Sequence, residues 1–134
     1  MVYYIGIRGD CMKSMKILKA ISNNTKLRLI SLLLDAELCV CELEEILEIR
    51  QANISKNLIS LKEAGIVDVR RNAQRGFYFL TNDFLSNTNL VAYIKDVKKK
   101  EDMLVNDYSV FIEHESNKDT KVYVCNAFKK ESKL

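Results

Sequence analysis

Two cysteines one residue apart, Cys39 and Cys41, are the side chains in this sequence best placed to do chemistry. Thiolates are soft ligands for thiophilic metals and metalloids, and the same sulfurs respond to oxidants. On an ideal helix, positions two apart point about 200° away from each other. Joint chelation by the pair therefore requires extended or irregular backbone at that place. The segment opens a helix, and helix N-termini favour thiolate over thiol. The competing reading makes Cys39 a small core residue and Cys41 a bystander. All four cysteines are expected as reduced thiols, because the opening Met1-Val-Tyr-Tyr-Ile-Gly-Ile lacks the basic start of a secretory signal. The cytoplasm is the expected compartment.

A second group of residues suits nucleic acid. Asn and Gln can pair with adenine through two hydrogen bonds in the major groove, and Lys can bond guanine. Gln51, Asn53, Ser55, Lys56, Asn57 and Ser60 share one stretch whose apolar residues, Ile54, Leu58 and Leu61, are spaced by four and three. That spacing predicts a helix with an inward stripe and a polar outer face, with Ser55 near the edge of that face. Arg70, Arg71, Gln74 and Arg75 crowd a polar turn and suit phosphate or the minor groove. The net charge of +3 is too small to announce a polyanionic partner, but its distribution is polarised. Asp35 to Glu48 holds six acids and no base, whereas Arg50 to Arg75 holds six bases against two acids.

Neighbouring elements must position these residues. Ile17, Leu18 and Ile21 have helical spacing, Ser22-Asn23-Asn24-Thr25 reads as a break with a capping signal, and a second helix is predicted from about Lys26 to Leu34. A short third helix carries Leu43, Ile46 and Leu47 on one side and its acids on the other. The Gln51 helix follows the turn at Ile49-Arg50 and ends at Gly65. Ile66 to Val69 and Phe77 to Leu80 flank the basic turn and read as a hairpin. From about Thr88 to Ile112 one long helix is predicted, with Leu90, Ile94, Val97, Leu104, Tyr108 and Phe111 on a near-heptad line. So long a stripe calls for a partner helix. Lys121 to Cys125 reads as a short strand. The expected fold is mostly α with a β-hairpin wing, a winged helix-turn-helix.

The residues carrying these features resemble a known family. Leu18-Lys-Ala-Ile-Ser, Lys26-Leu-Arg-Leu, Glu37-Leu-Cys-Val-Cys-Glu-Leu43 and Gln51 through Ile66, followed by an Arg-rich wing and an aromatic strand, are similar to the ArsR/SmtB family of bacterial metal-responsive repressors. The likeness covers roughly residues 15–82, and the Cys-Val-Cys box is its most specific part. It implies a homodimer built on the first and last helices, bound to double-stranded operator DNA until an inducer releases it. It implies a thiophilic inducer at Cys39 and Cys41, with As(III) or Sb(III) ahead of Cd(II), Pb(II) or Zn(II). A third ligand is implied at Cys11 or Cys125, since relatives use N-terminal or C-terminal cysteines; Glu44 stands where some relatives carry a third cysteine. Two departures bear on which operator is read: Ser22-Asn-Asn-Thr-Lys26, and Lys56-Asn57 where many relatives have Arg-His. The family's other site uses His and acids on the last helix. His114, the only histidine, falls at or past the predicted end of that helix, so that zinc site is expected to be absent.

Residues 1–14 read as an N-terminal extension, with Met12 or Met15 as alternative starts that would remove Cys11. Residues 15–112 read as the DNA-binding and dimerisation domain and 113–134 as a tail. No apolar run approaches the ~20 residues of a membrane span. One histidine, no Gly-rich phosphate loop and no nucleophile–base pair argue against an enzyme, and no obligatory cofactor is expected. A thiol redox-responsive regulator and a metal-independent one on the same fold are the alternatives.

Overall fold

The computed structural model of the chain describes residues 12–117. Cys11, Cys125 and the strand expected at Lys121 to Cys125 lie outside the described residues. The elements run α1 (Lys13–Ile21), α2 (Asn24–Leu33), β1 (Leu38–Cys39), α3 (Val40–Leu47), α4 (Gln51–Glu63), β2 (Val67–Asn72), β3 (Arg75–Leu80), α5 (Asn82–Leu85), α6 (Thr88–Lys100) and α7 (Asp102–Asn117). No described helix is long and apolar enough to cross a membrane.

Local chemistry sets most boundaries. The Asn23 side chain accepts the Lys26 N–H at 3.0 Å, so the expected break is the N-cap of α2, which begins at Asn24. Between α3 and α4 the chain turns through Glu48, held in the left-handed region at φ 55°, ψ 42°. Ile54, Leu58 and Leu61 are fully buried and pin α4 to the core. Gly65 takes φ 78°, and the Ile66 N–H returns to the Leu61 carbonyl at 3.0 Å, the closure a glycine after a helix permits.

The hairpin forms in the register Val67↔Leu80 through Asn72↔Arg75, leaving a two-residue turn at Ala73 and Gln74. Sequence patterning did not predict the third strand. β1 pairs antiparallel with β3, Leu38 opposite Tyr78 and Cys39 opposite Phe77, giving the order β1-β3-β2. The core gathers Leu29, Ile30 and Leu32 of α2, Leu43 of α3, the α4 stripe, Ile66 and Ile94.

The single long helix is a correction. The chain breaks at Glu101, which is extended (φ −81°, ψ 124°), and α7 turns back to pack on α2 and α3 as well as α6. Its buried face is Leu104, Asp107, Phe111 and His114, two apolar and two ionisable residues at helical spacing. The ionisable ones explain the break, because each has a partner on the core. Asp107, 1% exposed, receives Arg28 Nε at 2.8 Å and Nη2 at 2.9 Å. His114 reaches Glu42 and Glu45 of α3. These contacts repay a fold-back that a straight helix could not make. The helix also runs to Asn117, five residues beyond the predicted Ile112, so His114 lies within it. Tyr108, expected on the inward line, joins Val105 and Ile112 on an exposed apolar face.

Candidate nucleic-acid interface and adjoining cysteines

α3, the Glu48 turn and α4 form the helix-turn-helix, and Gly65-Ile66 leads directly into the hairpin. The carboxylate of Glu44 accepts the Gln51 N–H at 3.3 Å and fixes the first turn of α4 against α3. On α4, Asn53 and Lys56 are fully outward, whereas Gln51, Ser55, Asn57 and Ser60 are half-buried. The Asn57 amide donates to the Asn53 carbonyl and side-chain oxygen at 2.8 and 2.9 Å, so these two amides are held as a pair. Ser60 faces sideways into a cleft it shares with Lys16, Lys19 and Lys26, three cations that sequence reading did not single out. It also missed Ile59, which is 57% exposed in the middle of the polar face. Its signal was an apolar residue falling off the Ile54–Leu58–Leu61 line. An aliphatic side chain there suits a thymine methyl group.

In the wing, Arg70, Arg71 and Gln74 are exposed and Arg75 is half-buried. Arg70 is engaged on both sides: it bonds the Glu37 carboxylate at 2.8 Å and lies 5.4 Å above the Phe77 ring. Arg71 lies across Gly76 on the neighbouring strand. A Cβ at Gly76 would meet Arg71 Nη1 at 2.8 Å and Val69 Cγ2 at 2.9 Å, so the glycine makes room for that guanidinium.

Cys39 occupies a junction. It is the last residue of β1, and its extended backbone (φ −90°, ψ 167°) is also the N-cap of α3. Its N–H donates to Glu42 Oε1 at 3.1 Å, one half of a capping box. The irregular backbone that joint chelation demands is therefore present at Cys39. Both cysteines are buried, Cys39 3% and Cys41 4% exposed. Burial pushes the Cys39 thiol up from its ordinary value, outweighing the backbone hydrogen bond from Glu42 that favours thiolate. Cys39 is a free thiol.

Glu42, grouped by sequence with the outward acids of α3, is instead 1% exposed. Its second oxygen stands 3.2 Å from His114 Nε2, while His114 Nδ1 stands 3.0 Å from Glu45. Position N3 of a capping box was the available signal for Glu42; nothing local pointed to its partner 72 residues away.

Residues 23–69, from the cap of α2 through the start of the wing, match the family model for bacterial regulatory proteins of the arsR family. The transcriptional activator HlyU of Vibrio cholerae is 40% identical over 70 residues, spanning 52% of this chain and 65% of that protein. The arsenical resistance operon repressor of Staphylococcus xylosus is 34% identical over 73 residues, spanning 54% of this chain and 70% of the repressor. Among solved structures, the homodimeric winged helix-turn-helix DNA-binding domain of a possible ArsR-family regulator from Mycobacterium bovis superposes with a TM-score of 0.56. It is 25% identical and covers 66% of this chain and 85% of that domain. The first matched relatives are spanned over only 51–65% of their own length, so the likeness is one of the DNA-binding unit. With a winged helix-turn-helix around α3 and α4, a basic wing, a family match across residues 23–69 and a relative 34% identical over 70% of its own length, the chain belongs to the arsR family of bacterial regulatory proteins.

Proposed function

We propose that this chain is a homodimeric transcriptional repressor that binds operator DNA through α4 and the wing, and that a thiophilic ion at Cys39 and Cys41 releases it. The observation that carries this reading is the double attachment of Cys39. Its backbone pairs with Phe77 in the wing strand β3 and caps α3, the first helix of the helix-turn-helix. Any ligand that draws the two sulfurs together must move the first turn of α3, and that motion reaches both DNA-contacting elements. To weaken DNA binding ~100-fold, the coupling has to be about 2.7 kcal/mol, inside the ordinary allosteric range. As(III) or Sb(III) is favoured over Cd(II), Pb(II) or Zn(II). Relatives named for arsenical and cadmium resistance agree with a soft inducer, whereas the similarity to an activator keeps the sign of regulation within the proposal. The exposed apolar residues Met15 and Leu18 on α1 and Val105, Tyr108 and Ile112 on α7 support dimerisation through the first and last helices.

A second reading has its own observation. Cys39 is a free thiol in the cap of α3, and its oxidation, rather than ion binding, would restrain that first turn in a thiol redox-responsive regulator.

One titration separates the two. Reduced full-length protein is bound to a fluorescent duplex carrying the DNA upstream of its own gene, and As(III), Cd(II), Zn(II) or diamide is added. Release by one ion, lost on replacing Cys39 and Cys41 by Ser, supports the ion-sensing reading. Release by diamide alone supports the redox reading. DNA that stays bound under every addition removes the regulatory role of the cysteines and leaves the DNA-binding role standing.

A further inference from the structure

We propose that the cleft between the end of α2, the C-terminal half of α6 and the start of α7 binds a small organic monoanion with an apolar body, a carboxylate on an aliphatic or aromatic skeleton. The cleft has a volume of about 500 Å³, within the range of small-molecule sites. It straddles the break at Glu101, so α6 supplies one wall and α7 another. The site shares no residue with the cysteine pair, α4 or the wing, and binding there is measured without DNA.

The sign of the ligand follows from the lysines. α6 brings Lys95, Lys98 and Lys99 to the cleft, against one acid, Asp35. Lys98 is already committed. Its ammonium pairs with Asp35, donates to the Ser31 carbonyl at 2.9 Å and lies 4.7 Å from the centroid of the Tyr108 ring. Ser31 offers one of the last carbonyls of α2, so Lys98 closes that helix end. With Lys98 and Asp35 neutralising each other, Lys95 and Lys99 set the charge of the cleft. Both are exposed, and neither has a carboxylate partner among the described residues; the neighbouring Asp96 is taken by Lys100 at 2.8 Å. They stand four residues apart on one helix face, where like charges repel. The helix dipole favours the cations of the last turn of α6, Lys98 to Lys100, but Lys95 lies a turn earlier. A carboxylate held between Lys95 and Lys99 removes the repulsion and accepts a charge-assisted hydrogen bond from each.

The apolar half of the ligand follows from the rest of the lining. Leu34 is half-buried, while Val105 and Tyr108 are 44% and 39% exposed. A small hydrated anion leaves that aliphatic and aromatic surface in water, whereas an apolar skeleton covers it. Val105 and Tyr108 also belong to the face proposed above for dimerisation, so a bound ligand adjoins that contact.

The test is isothermal titration calorimetry of the full-length reduced protein as it assembles in solution. Octanoate, naphthoate, octanol and inorganic phosphate are the probes. Saturable binding of octanoate or naphthoate at one site per chain is expected, with octanol and phosphate each weaker by about tenfold or more. The joint exchange Lys95→Gln and Lys99→Gln should weaken carboxylate binding by about tenfold or more. Its far-UV circular dichroism spectrum should be unchanged, since both side chains are exposed. Lys13→Gln with Lys62→Gln removes the same charge outside the cleft and should leave the affinity within about twofold. Absence of saturable carboxylate binding overturns the proposal, as it would if the dimer closed the cleft. So does equal binding of octanol or phosphate, or an affinity that the Lys95 and Lys99 exchange lowers no more than the Lys13 and Lys62 exchange.

Discussion

Replacing Asp107 by Ala tests how α7 is held to the core. Asp107 is 1% exposed and accepts two hydrogen bonds from Arg28, at 2.8 and 2.9 Å, while the Arg28 side chain keeps 19% of its surface in solvent. Removing one member of a buried pair leaves the other charge without its counterion, which costs about 3–5 kcal/mol. Arg28 retains some water and a weak contact to the Leu47 carbonyl at 3.4 Å, so the loss falls at the low end, about 3 kcal/mol. At about 4 °C per kcal/mol for a domain of this size, Tm should fall by about 12 °C. The joint exchange Arg28→Met with Asp107→Leu keeps the volume apolar and should recover most of that loss. Thermal unfolding followed by circular dichroism gives Tm, and urea titration at unchanged m value gives the free energy. The coupling within the double-mutant cycle isolates the pair from the packing of Leu104 and Phe111 beside it. A single variant whose Tm falls by less than about 2 °C would refute the docking of α7 through this pair.

Three further outcomes follow from the same coordinates. Glu37→Gln breaks an ion pair whose side chains are 46% and 53% exposed, so unfolding free energy should stay within about 0.5 kcal/mol of wild type in urea titration. Because an oxidised sulfur no longer offers a thiolate to a soft ion, oxidised protein should take up no As(III) at Cys39 and Cys41 while reduced protein does, by mass spectrometry of the native protein. Burial holds the Lys98 ammonium below its ordinary pKa of 10.5. The native state then gives up this proton before the unfolded chain does, so the cost of burying the cation is present at neutral pH. It disappears as pH rises through the lowered value toward 10.5, and stability rises across that window. Lys98→Met should lack that rise when urea midpoints are compared between about pH 8 and pH 10.5.

What the sequence disclosed depended on how local the determining interaction is. The inward stripe of α4 was legible because Ile54, Leu58 and Leu61 repeat on one helix, and Gly65 was legible as its end because left-handed backbone selects glycine. The wing was legible from aromatic and β-branched runs around a polar turn. The break at Glu101 was not, since neither glycine nor proline marks it and its cause is tertiary. Asp107 and Arg28 stand 79 residues apart, so no local pattern marks them as a pair. Glu42 and Glu45 looked alike on paper. The capping box turns Glu42 inward toward His114, while Glu45 remains half-exposed on the other side of the ring. The Cys-Val-Cys box announced soft-ion chemistry, but the pairing of Cys39 with Phe77 is a contact across the sheet that no local pattern encodes.

The central claim is that α4 and the wing form a surface for duplex DNA, and the salt dependence of binding tests it most directly. In the proposed homodimer, Lys56, Arg71 and Arg75 of each protomer are assigned to phosphate, which makes six cations on the duplex. The logarithm of the affinity of reduced wild-type protein for its upstream duplex should therefore fall against the logarithm of salt concentration with a slope of about −5. Arg71→Ala should make that slope shallower by about 2, one contact from each subunit, with the fold unchanged. Affinity that is insensitive to salt, or a slope that Arg71→Ala leaves unaltered, would contradict the assignment of this face to DNA.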